Sequence, residues 1–263
     1  MRRHFVHFLW GSLLAILGVI TVFFISVWNG WVGYMPNMDE LSNPIDKFAS
    51  QVYSSDQQLI GTWNADNNNR VAIDYNGLSP HLVHALVATE DERFYEHSGV
   101  DFIALGRAVV KRGVMGQASA GGGSTITQQL AKQLFSEKAH STVERLLQKP
   151  IEWIIAVKLE RHFTKEEILA MYFNYFDFLH NAVGIKRAAN VYFNKEPRKL
   201  TVTEAAMLVG LCKNPSMFNP LRYPERCKQR RNVVLMQMVK SGYVTKAEYD
   251  ELSQRPLDRK SVV

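Results

Sequence analysis

The sequence predicts a mainly α-helical protein with one small β element and an N-terminal helix that crosses a membrane. Three observations carry this prediction. An apolar stretch near the N-terminus, residues 8–28, has no charged residue over 21 positions. A turn-rich segment, 51–73, holds short runs of β-branched and aromatic residues. From Ser79 onward, apolar residues recur at helical spacing almost to the end of the chain.

The composition is that of an ordinary globular protein, with 46% hydrophobic and 21% charged residues among 263. Such a composition does not indicate disorder. The formal net charge of +6 favours anionic lipid or pyrophosphate as partners outside a membrane, and not nucleic acid. Cys212 and Cys227 lack metal-site spacing; two buried thiols are the default interpretation, and a disulfide stays open.

The apolar stretch is long enough to cross about 30 Å of hydrocarbon as a helix. It exceeds the core of a signal peptide, and no small-residue cleavage site follows it, which indicates an uncleaved anchor. Arg2 and Arg3 precede it, whereas Asp39 and Glu40 follow it. The excess of positive charge on one side predicts a cytoplasmic N-terminus and an extracytoplasmic domain after Trp28.

Composition divides the chain into four parts. A cytoplasmic tail and anchor occupy 1–28, a linker with the small β element occupies 29–76, the main domain covers 77–252, and a tail covers 253–263. The β element is predicted as two or three strands, at 51–53, 59–63 and 70–73. A flexible glycine loop is predicted at 113–123. After the first helix of the main domain, further helices are predicted at 102–112, 125–135, 140–163, 164–176, 181–193, 203–211 and 224–240. The helix at 140–163 is predicted to be interrupted at Pro150, and a last short helix is capped by Thr245.

The first helix of the main domain starts with Ser79 as its N-cap and Pro80 at its first position. Continued at 3.6 residues per turn, it places a set of residues on one face: Val83, Leu86, Glu90, Phe94 and His97. Glu90 thus continues the apolar stripe, where partial desolvation suits a carboxylate to general-base chemistry. For the neighbouring acids, solvated positions at the end of a helix are the favoured interpretation: Asp91, Glu92 and Glu96.

A second unusual stretch runs from Gly122 to Gln133. Glycines that lead into a hydroxyl-rich helix start present backbone N–H groups and a positive dipole end to an anion. Thr125, Gln129 and Lys132 are spaced to line one face of that helix. An ordinary N-cap followed by a polar surface helix accounts for the same residues, and the pattern alone leaves both interpretations open.

A third stretch surrounds Glu152. Because proline starts helices more readily than it continues them, a new helix is predicted at Pro150, with Glu152 in its first turn. There the helix dipole supports a carboxylate, and Lys149 is close enough to pair with it. A glutamate that merely stabilises the helix start is an equally good reading.

Two carboxylates in contrasting settings are typical of acid/base work at a glycosidic centre. The chain has no Asp-x-Asp for a nucleotide-sugar metal, which disfavours a nucleotide-dependent glycosyltransferase. It also lacks the Ser-x-x-Lys and Lys-Thr-Gly motifs of penicillin-type acyl-serine chemistry. No cluster of metal ligands is present in the pattern.

Taken together, these residues resemble the peptidoglycan glycosyltransferase family (glycosyltransferase family 51), the transglycosylase domain of class A penicillin-binding proteins and of monofunctional transglycosylases. The resemblance covers about 77–252. It rests on motifs in the family's order and spacing: Glu90, Asp91, Phe94, His97 and Gly99; Gly123 to Gln129; Lys149 and Glu152; Tyr172 and Asn174; Gly184, Ala188, Ala189, Tyr192 and Phe193; Glu204 to Ala206, Pro215, Arg230 and Arg231.

The resemblance implies a lysozyme-like, mainly α fold with a membrane-dipping jaw at about 102–117. It implies polymerisation of lipid II into glycan strands, with inversion and release of undecaprenyl pyrophosphate. Glu90 matches the catalytic base, and Glu152 matches the second glutamate near the donor pyrophosphate. Phe94 and His97 match supports of the Glu90 motif. The substrate-binding positions implied are Phe94, His97, Ser124, Thr125, Gln129, Lys132 and Lys149.

The resemblance also implies partners and cofactors: lipid II, the growing glycan strand, membrane lipid and other proteins of cell-wall synthesis. No cofactor is obligatory, although a divalent cation (Mg or Mn) near the pyrophosphate is compatible with the family. Three positions depart from its pattern. Gln148 stands where an arginine is usual, Pro150 is added, and Asp177 stands where a tyrosine is common.

Some alternatives stay open at this point. A lysozyme-like hydrolase also uses a glutamate in an apolar groove, but the anchor and the anion-binding stretch argue against it. A non-catalytic scaffold that keeps the fold is the other alternative, prompted by Gln148. The tail, 253–263, resembles the start of a linker to a transpeptidase domain, or a short extension of a monofunctional enzyme.

Overall fold

The computed structural model describes residues 2–32, 34–37, 41, 50–56, 59–63, 71–110, 123–135 and 142–257. This part of the chain is mainly helical, which confirms the predicted fold class. Its α-helices are α1 (Arg2–Trp28), α2 (Pro80–Glu90), α3 (Phe102–Val109), α4 (Ile126–Phe135), α5 (Thr142–His162), α6 (Lys165–Tyr175), α7 (Ile185–Phe193), α8 (Val202–Lys213), α9 (Pro224–Lys240) and α10 (Lys246–Gln254).

Helix α1 is long and apolar enough to cross a membrane. Its apolar side chains are exposed over most of its length, and Val27, near its end, is fully buried. A helix whose apolar side chains face outward almost all round needs an apolar solvent. The helix therefore has the length, composition and exposure of a membrane span.

The β element is a two-stranded antiparallel hairpin of β1 (Ser50–Tyr53) and β2 (Leu59–Trp63), in which Ser50 pairs with Trp63. The predicted third strand is wrong, because 71–73 lie outside any strand. The side-chain amide of Asn174, in α6, donates to the Ile73 carbonyl at 2.8 Å and accepts from its N–H at 3.2 Å. One side chain thus satisfies the main-chain groups that a partner strand would otherwise pair.

Most helix starts lie where local sequence signals place them. Ser79 accepts a hydrogen bond from the His81 N–H, and Asp101 accepts from two N–H groups of α3. Helices α6, α8 and α10 each begin with a complete capping box. The predicted bounds of α9 match the structure at both ends.

Pro150 does not start a new helix, since α5 runs unbroken through it. A proline inside a helix costs about 3 kcal/mol. In α5 the side chains of Ile154, Ile155 and Leu159 are buried, and each contributes about 1.5–3 kcal/mol. Burial along the continuous helix therefore offsets the proline, and the predicted interruption is wrong.

Helix α7 begins at Ile185 and not at Asn181 as predicted. Leu179, His180 and Asn181 have positive φ values of 66°, 52° and 58°, a conformation that a right-handed helix does not contain. Gly184 follows with φ 81°, and a Cβ there would lie 2.8 Å from the Asn174 carbonyl oxygen. Only glycine fits that position.

The core is built from two groups of helices. In one, α2 packs against α8 and α9; in the other, α4 packs against α5 and α6. Leucines at the centre of the first group are fully buried: Leu82, Leu86, Leu208 and Leu235. The carboxyl end of α2 also contacts α4, so the end of α2 lies where the two groups meet.

Helix α3 is amphipathic, with Phe102 and Ile103 exposed. Its described range is Phe102–Val109, and the last two positions of the predicted helix, 111 and 112, lie outside the described residues. The predicted glycine loop at 113–123 lies outside the described residues except for Gly123, and so does much of the predicted jaw.

Candidate active site

Helix α2 ends at Glu90, which changes the predicted arrangement of its motif. Asp91 adopts φ −158° and ψ 76°, so the chain leaves the helix there. Phe94 lies in a short 3-10 turn, Phe94–Glu96, and His97 follows that turn. The prediction that Phe94 and His97 continue the helical face of Glu90 is therefore wrong.

Two side chains from distant parts of the chain hold the Glu90 carboxylate. The Gln129 amide nitrogen, on α4, donates to one oxygen at 3.1 Å, and the Arg230 guanidinium, on α9, lies 3.4 Å from the other. The Glu90 side chain is 17% exposed. Burial lowers the pKa of the Arg230 guanidinium, and the charge of Glu90 opposes that shift. Glu90 thus combines a defined orientation with access to solvent.

A second layer fixes the orientation of the Gln129 amide. The Tyr172 hydroxyl donates to the Gln129 carbonyl oxygen at 3.1 Å, which turns the amide nitrogen toward Glu90. Burial raises the pKa of Tyr172 well above its usual value, so the hydroxyl keeps its proton. Burial also raises the pKa of Cys212 beside it. Neither Cys212 nor Cys227 forms a disulfide; Cys227 is buried as the default interpretation predicted, and Cys212 is partly buried.

Asp91 is buried, so the prediction that it is a solvated acid is wrong. The N–H of Gly99 donates to Nδ1 of His97, which leaves Nε2 of His97 to donate to Asp91 at 3.0 Å. The carboxylate also accepts from the Ile126 N–H at 3.0 Å. Glu92 and Glu96 are exposed, as predicted.

The start of α4 is capped from within the protein. The Asp91 carboxylate lies at the first N–H of the helix, where the sequence predicted an external anion. Thr125 donates to the Gly99 carbonyl at 2.6 Å and accepts from the Gln128 N–H at 3.1 Å. The Thr125 hydroxyl therefore makes its hydrogen bonds within the protein. The prediction that this hydroxyl and the first N–H of α4 bind an external anion is wrong.

Gly99 is required by close packing. It has φ 94°, and a Cβ there would lie 2.8 Å from the main chain of Ala156 in α5. Its carbonyl accepts from Thr125 and from the Gln128 amide. This glycine joins the segment after Glu90 to both α4 and α5.

A cleft of about 180 Å³ opens beside Glu90. It brings together the predicted site residues Glu90, Ser124 and Thr125 with two residues not assigned to the site from the sequence, Arg107 and Gln237. The remaining lining residues are Ala88, Thr89, Asp91, Glu92, Arg93, Asp101, Ala104 and Gly123. Five predicted site residues and the second glutamate lie outside this lining: Phe94, His97, Gln129, Lys132, Lys149 and Glu152.

Phe94 and His97 hold the motif in place. Phe94 is fully buried, with the Lys165 ammonium 4.3 Å from the centre of its ring. His97 contacts Asp91, and its ring packs edge-on against Phe94 at 6.2 Å. A fully buried ring has no surface for a sugar, so Phe94 supports the motif by packing against His97.

Glu152 lies in the middle of α5 and is 2% exposed. The predicted pair with Lys149 is present, at 2.5 Å. Since Glu152 is not in a first turn, the helix dipole does not support its charge, and the lysine does. Lys149 and Lys132 are exposed.

The described residues offer little for a divalent cation. Among them, no group of three His, Cys, Asp or Glu side chains could hold a metal ion. The Glu152 carboxylate is already paired with an ammonium. These residues do not form a protein-only cation site, and the chemistry proposed below uses the chain's own side chains.

Known proteins resemble this chain in sequence. Residues 56–239 match the model of the family described as transglycosylase. Penicillin-binding protein 1A of Aquifex aeolicus is 38% identical over 94% of this chain and 32% of that protein. The Escherichia coli protein of the same name is 39% identical over 82% and 25%, and penicillin-binding protein 1F of Bacillus subtilis is 42% identical over 68% and 24%.

A crystal structure of penicillin-binding protein 1A from Haemophilus influenzae aligns with 81% of this chain and 21% of that one, at 23% identity and a TM-score of 0.44. The chain spans about a third or less of the length of these relatives. The family match covers most of the chain, including Glu90, Glu152 and Arg230. The chain belongs to the transglycosylase family.

Proposed function

We propose that this chain is a peptidoglycan glycosyltransferase that polymerises lipid II into glycan strands and releases undecaprenyl pyrophosphate. One observation carries the proposal. Glu90 lines an open cleft with its carboxylate oriented by an amide and a guanidinium from two other helices. Membership of the transglycosylase family supports the same reaction.

Glu90 acts as the general base. Arg230 and the Gln129 amide hold the carboxylate that accepts the proton. Glu90 takes the proton of the acceptor's GlcNAc 4-hydroxyl while that oxygen attacks C1 of the MurNAc at the end of the growing chain. The bond from C1 to the pyrophosphate oxygen breaks, the lipid pyrophosphate leaves with the electron pair, and C1 is inverted.

Basic side chains stabilise the leaving group. Lys132 and Lys149 are exposed, and Arg107 lines the cleft. Glu152 holds Lys149 by a close ion pair and so fixes the position of its ammonium. We assign these groups to the pyrophosphate, where charge builds up as the bond breaks. A cation such as Mg²⁺ would add charge there when bound.

The membrane span places the reaction at a bilayer. Arg2 and Arg3 precede the apolar core of α1, which supports a cytoplasmic N-terminus and a catalytic domain on the other side. Lipid II, the growing glycan strand and membrane lipid are then the partners at this surface. Other cell-wall synthesis proteins are further partners in this proposal.

The test is to incubate the purified full chain, in detergent, with lipid II that carries a labelled sugar. Long labelled glycan together with released lipid pyrophosphate supports the proposal. Shortening of added preformed glycan, without polymerisation, would show a hydrolase. No turnover by folded protein would show a scaffold, and either of these two results overturns the proposal.

A further inference from the structure

Lys165 occupies a position that its own helix does not explain. It is the first residue of α6, directly after the N-cap Thr164. The positive end of the helix dipole disfavours a lysine there, whereas it favours the two glutamates that follow, Glu166 and Glu167. The Lys165 side chain is only 20% exposed, so it does not simply extend into solvent. The role of this lysine therefore lies in its contacts outside α6.

The Lys165 ammonium contacts the motif turn, residues 91–99, which follows the end of α2. It donates to the His97 carbonyl at 2.7 Å and lies 4.3 Å from the centre of the Phe94 ring. The His97 ring in turn holds the Asp91 carboxylate, which binds the start of α4. One cation thus fixes both the main chain and an aromatic side chain of this turn.

Glu160 joins this contact to α4. Its side chain, on α5, is 6% exposed, and each of its two oxygens lies 2.8 Å from the Lys165 ammonium. One of these oxygens also accepts from the Thr127 hydroxyl at 2.6 Å. Thr127 is fully buried in α4, two residues before Gln129, which donates to Glu90. The same network therefore reaches the motif turn and α4, which both border Glu90.

We infer that Lys165 is a positioning residue for the Glu90 base, and that Glu160 and Thr127 hold its ammonium in place. Glu90 directly precedes the motif turn, and the amide that orients its carboxylate belongs to α4. A shift of either structure changes where that carboxylate meets the acceptor hydroxyl. The inference rests on the proposed function, since it assigns the support of the proposed base.

A purely structural role for the lysine is the alternative. A buried lysine–glutamate pair stabilises a fold once it is formed, because removal of one partner leaves the other charge unpaired. The two roles differ in what a substitution removes. A displaced base lowers kcat without weakening substrate binding, whereas an enzyme that is less stable but correctly folded keeps its kcat.

Lys165→Met in the full chain tests the inference, with Lys195→Met as the matched control. The Lys195 ammonium also donates to both oxygens of a buried glutamate, at 2.7 and 3.0 Å, but that glutamate is Glu204 of α8 and not part of the motif turn. Three quantities are measured for each variant: lipid II turnover in detergent, Tm, and amide hydrogen exchange of the motif turn.

We expect Lys165→Met to lower kcat by about 10- to 100-fold with KM nearly unchanged, since a base displaced by about 1 Å loses that much. Protection of the motif turn against exchange should fall by about 10-fold, the equivalent of one lost hydrogen bond. Lys195→Met should lower Tm and keep both the kcat and the exchange of the parent.

If Lys165→Met does not fold, Thr127→Val takes its place, because it removes only the link from α4. A fall in kcat of about 10-fold, again with KM nearly unchanged, is then expected.

Equal kcat in the lysine variant and its control overturns the inference, and so does unchanged exchange of the motif turn. The exchange measurement needs no substrate. If the parent shows no turnover, the proposed function fails, and the exchange of residues 91–99 alone decides whether Lys165 holds this turn.

Discussion

In each of two pairs of neighbouring charged residues, one residue belongs to the candidate site and the other stabilises the fold. At the end of α2 both Glu90 and Asp91 line the cleft, but the Glu90 carboxylate keeps access to solvent, whereas Asp91 is buried and binds the start of α4. In α9, Arg230 reaches Glu90, whereas Arg231 is fully buried. Arg231 donates to the carbonyls of residues at and beyond the end of α10: Leu252, Ser253, Arg255 and Pro256.

The two pairs show that one sequence motif can contain both a residue of the candidate site and a residue that stabilises the fold around it. Adjacent residues at a helix end or on a helix point about 100° apart, so one reaches solvent while its neighbour reaches the core. We therefore expect substitutions within each pair to separate activity from stability.

The largest effect is expected at the first pair. Glu90→Gln should lower the rate of glycan formation by about 10³-fold or more, because the amide cannot accept the proton. Its Tm should stay within a few degrees of the parent. Asp91→Asn should instead lower the free energy of unfolding by about 2 kcal/mol, because a buried charge-assisted hydrogen bond is weakened. Lipid II turnover and thermal unfolding measure the two quantities.

The second pair should divide in the same direction. Arg230→Met should lower turnover by about 10²-fold, since Glu90 loses its charge partner in a partly buried site. Arg231→Met should cost about 3 kcal/mol in unfolding, because several main-chain carbonyls lose their donor. A loss of stability in Arg230→Met as large as in Arg231→Met would contradict this division.

Tyr172→Phe should have a smaller effect, a fall of about 10-fold in kcat with little change in KM. The variant keeps the buried ring and frees the Gln129 amide, so Glu90 loses a positioned donor.

Tyr192→Phe is the matched control for Tyr172→Phe. It removes a buried hydroxyl that donates to the Phe178 carbonyl at 2.7 Å, outside the Glu90 cluster. It should lose stability and keep the kcat of the parent. An equal fall in kcat in both variants would show that the effect of Tyr172 is merely structural.

The smallest effect is expected for Lys132→Ala. Its ammonium is exposed, so water screens it, and removal should raise KM for lipid II several-fold with kcat nearly unchanged. Lys240→Ala, an exposed lysine at the end of α9, serves as the control. An unchanged KM in Lys132→Ala would remove Lys132 from the pyrophosphate site.

Local signals predicted the parts of the fold that depend on neighbouring residues. The Ser79 and Thr245 caps and the bounds of α9 are decided within one or two turns of helix. The failures at Pro150 and Asn181 have a different origin, because burial along α5 and packing against Asn174 come from other parts of the chain. Apolar periodicity also led to the wrong prediction that the face of α2 continues past Glu90, because periodicity does not detect the turn at Asp91.

The candidate site shows the same limit. Glu90 could be singled out because its position in an apolar stripe is a local property. The contacts of Gln129 and Arg230 with Glu90 could not be predicted, because these residues are 39 and 140 positions away in the chain. The sequence did contain Arg230 among its motif residues, but nothing local separates it from Arg231.

The central claim is that Glu90 supplies a base to the reacting hydroxyl, and chemical rescue tests it most directly. In Glu90→Ala, the removed side chain leaves room beside the cleft for a small carboxylate from solution. We predict that added formate restores glycan formation from lipid II in proportion to its concentration, whereas equal chloride does not. A variant that still binds lipid II but stays inactive at every formate concentration would contradict the claim.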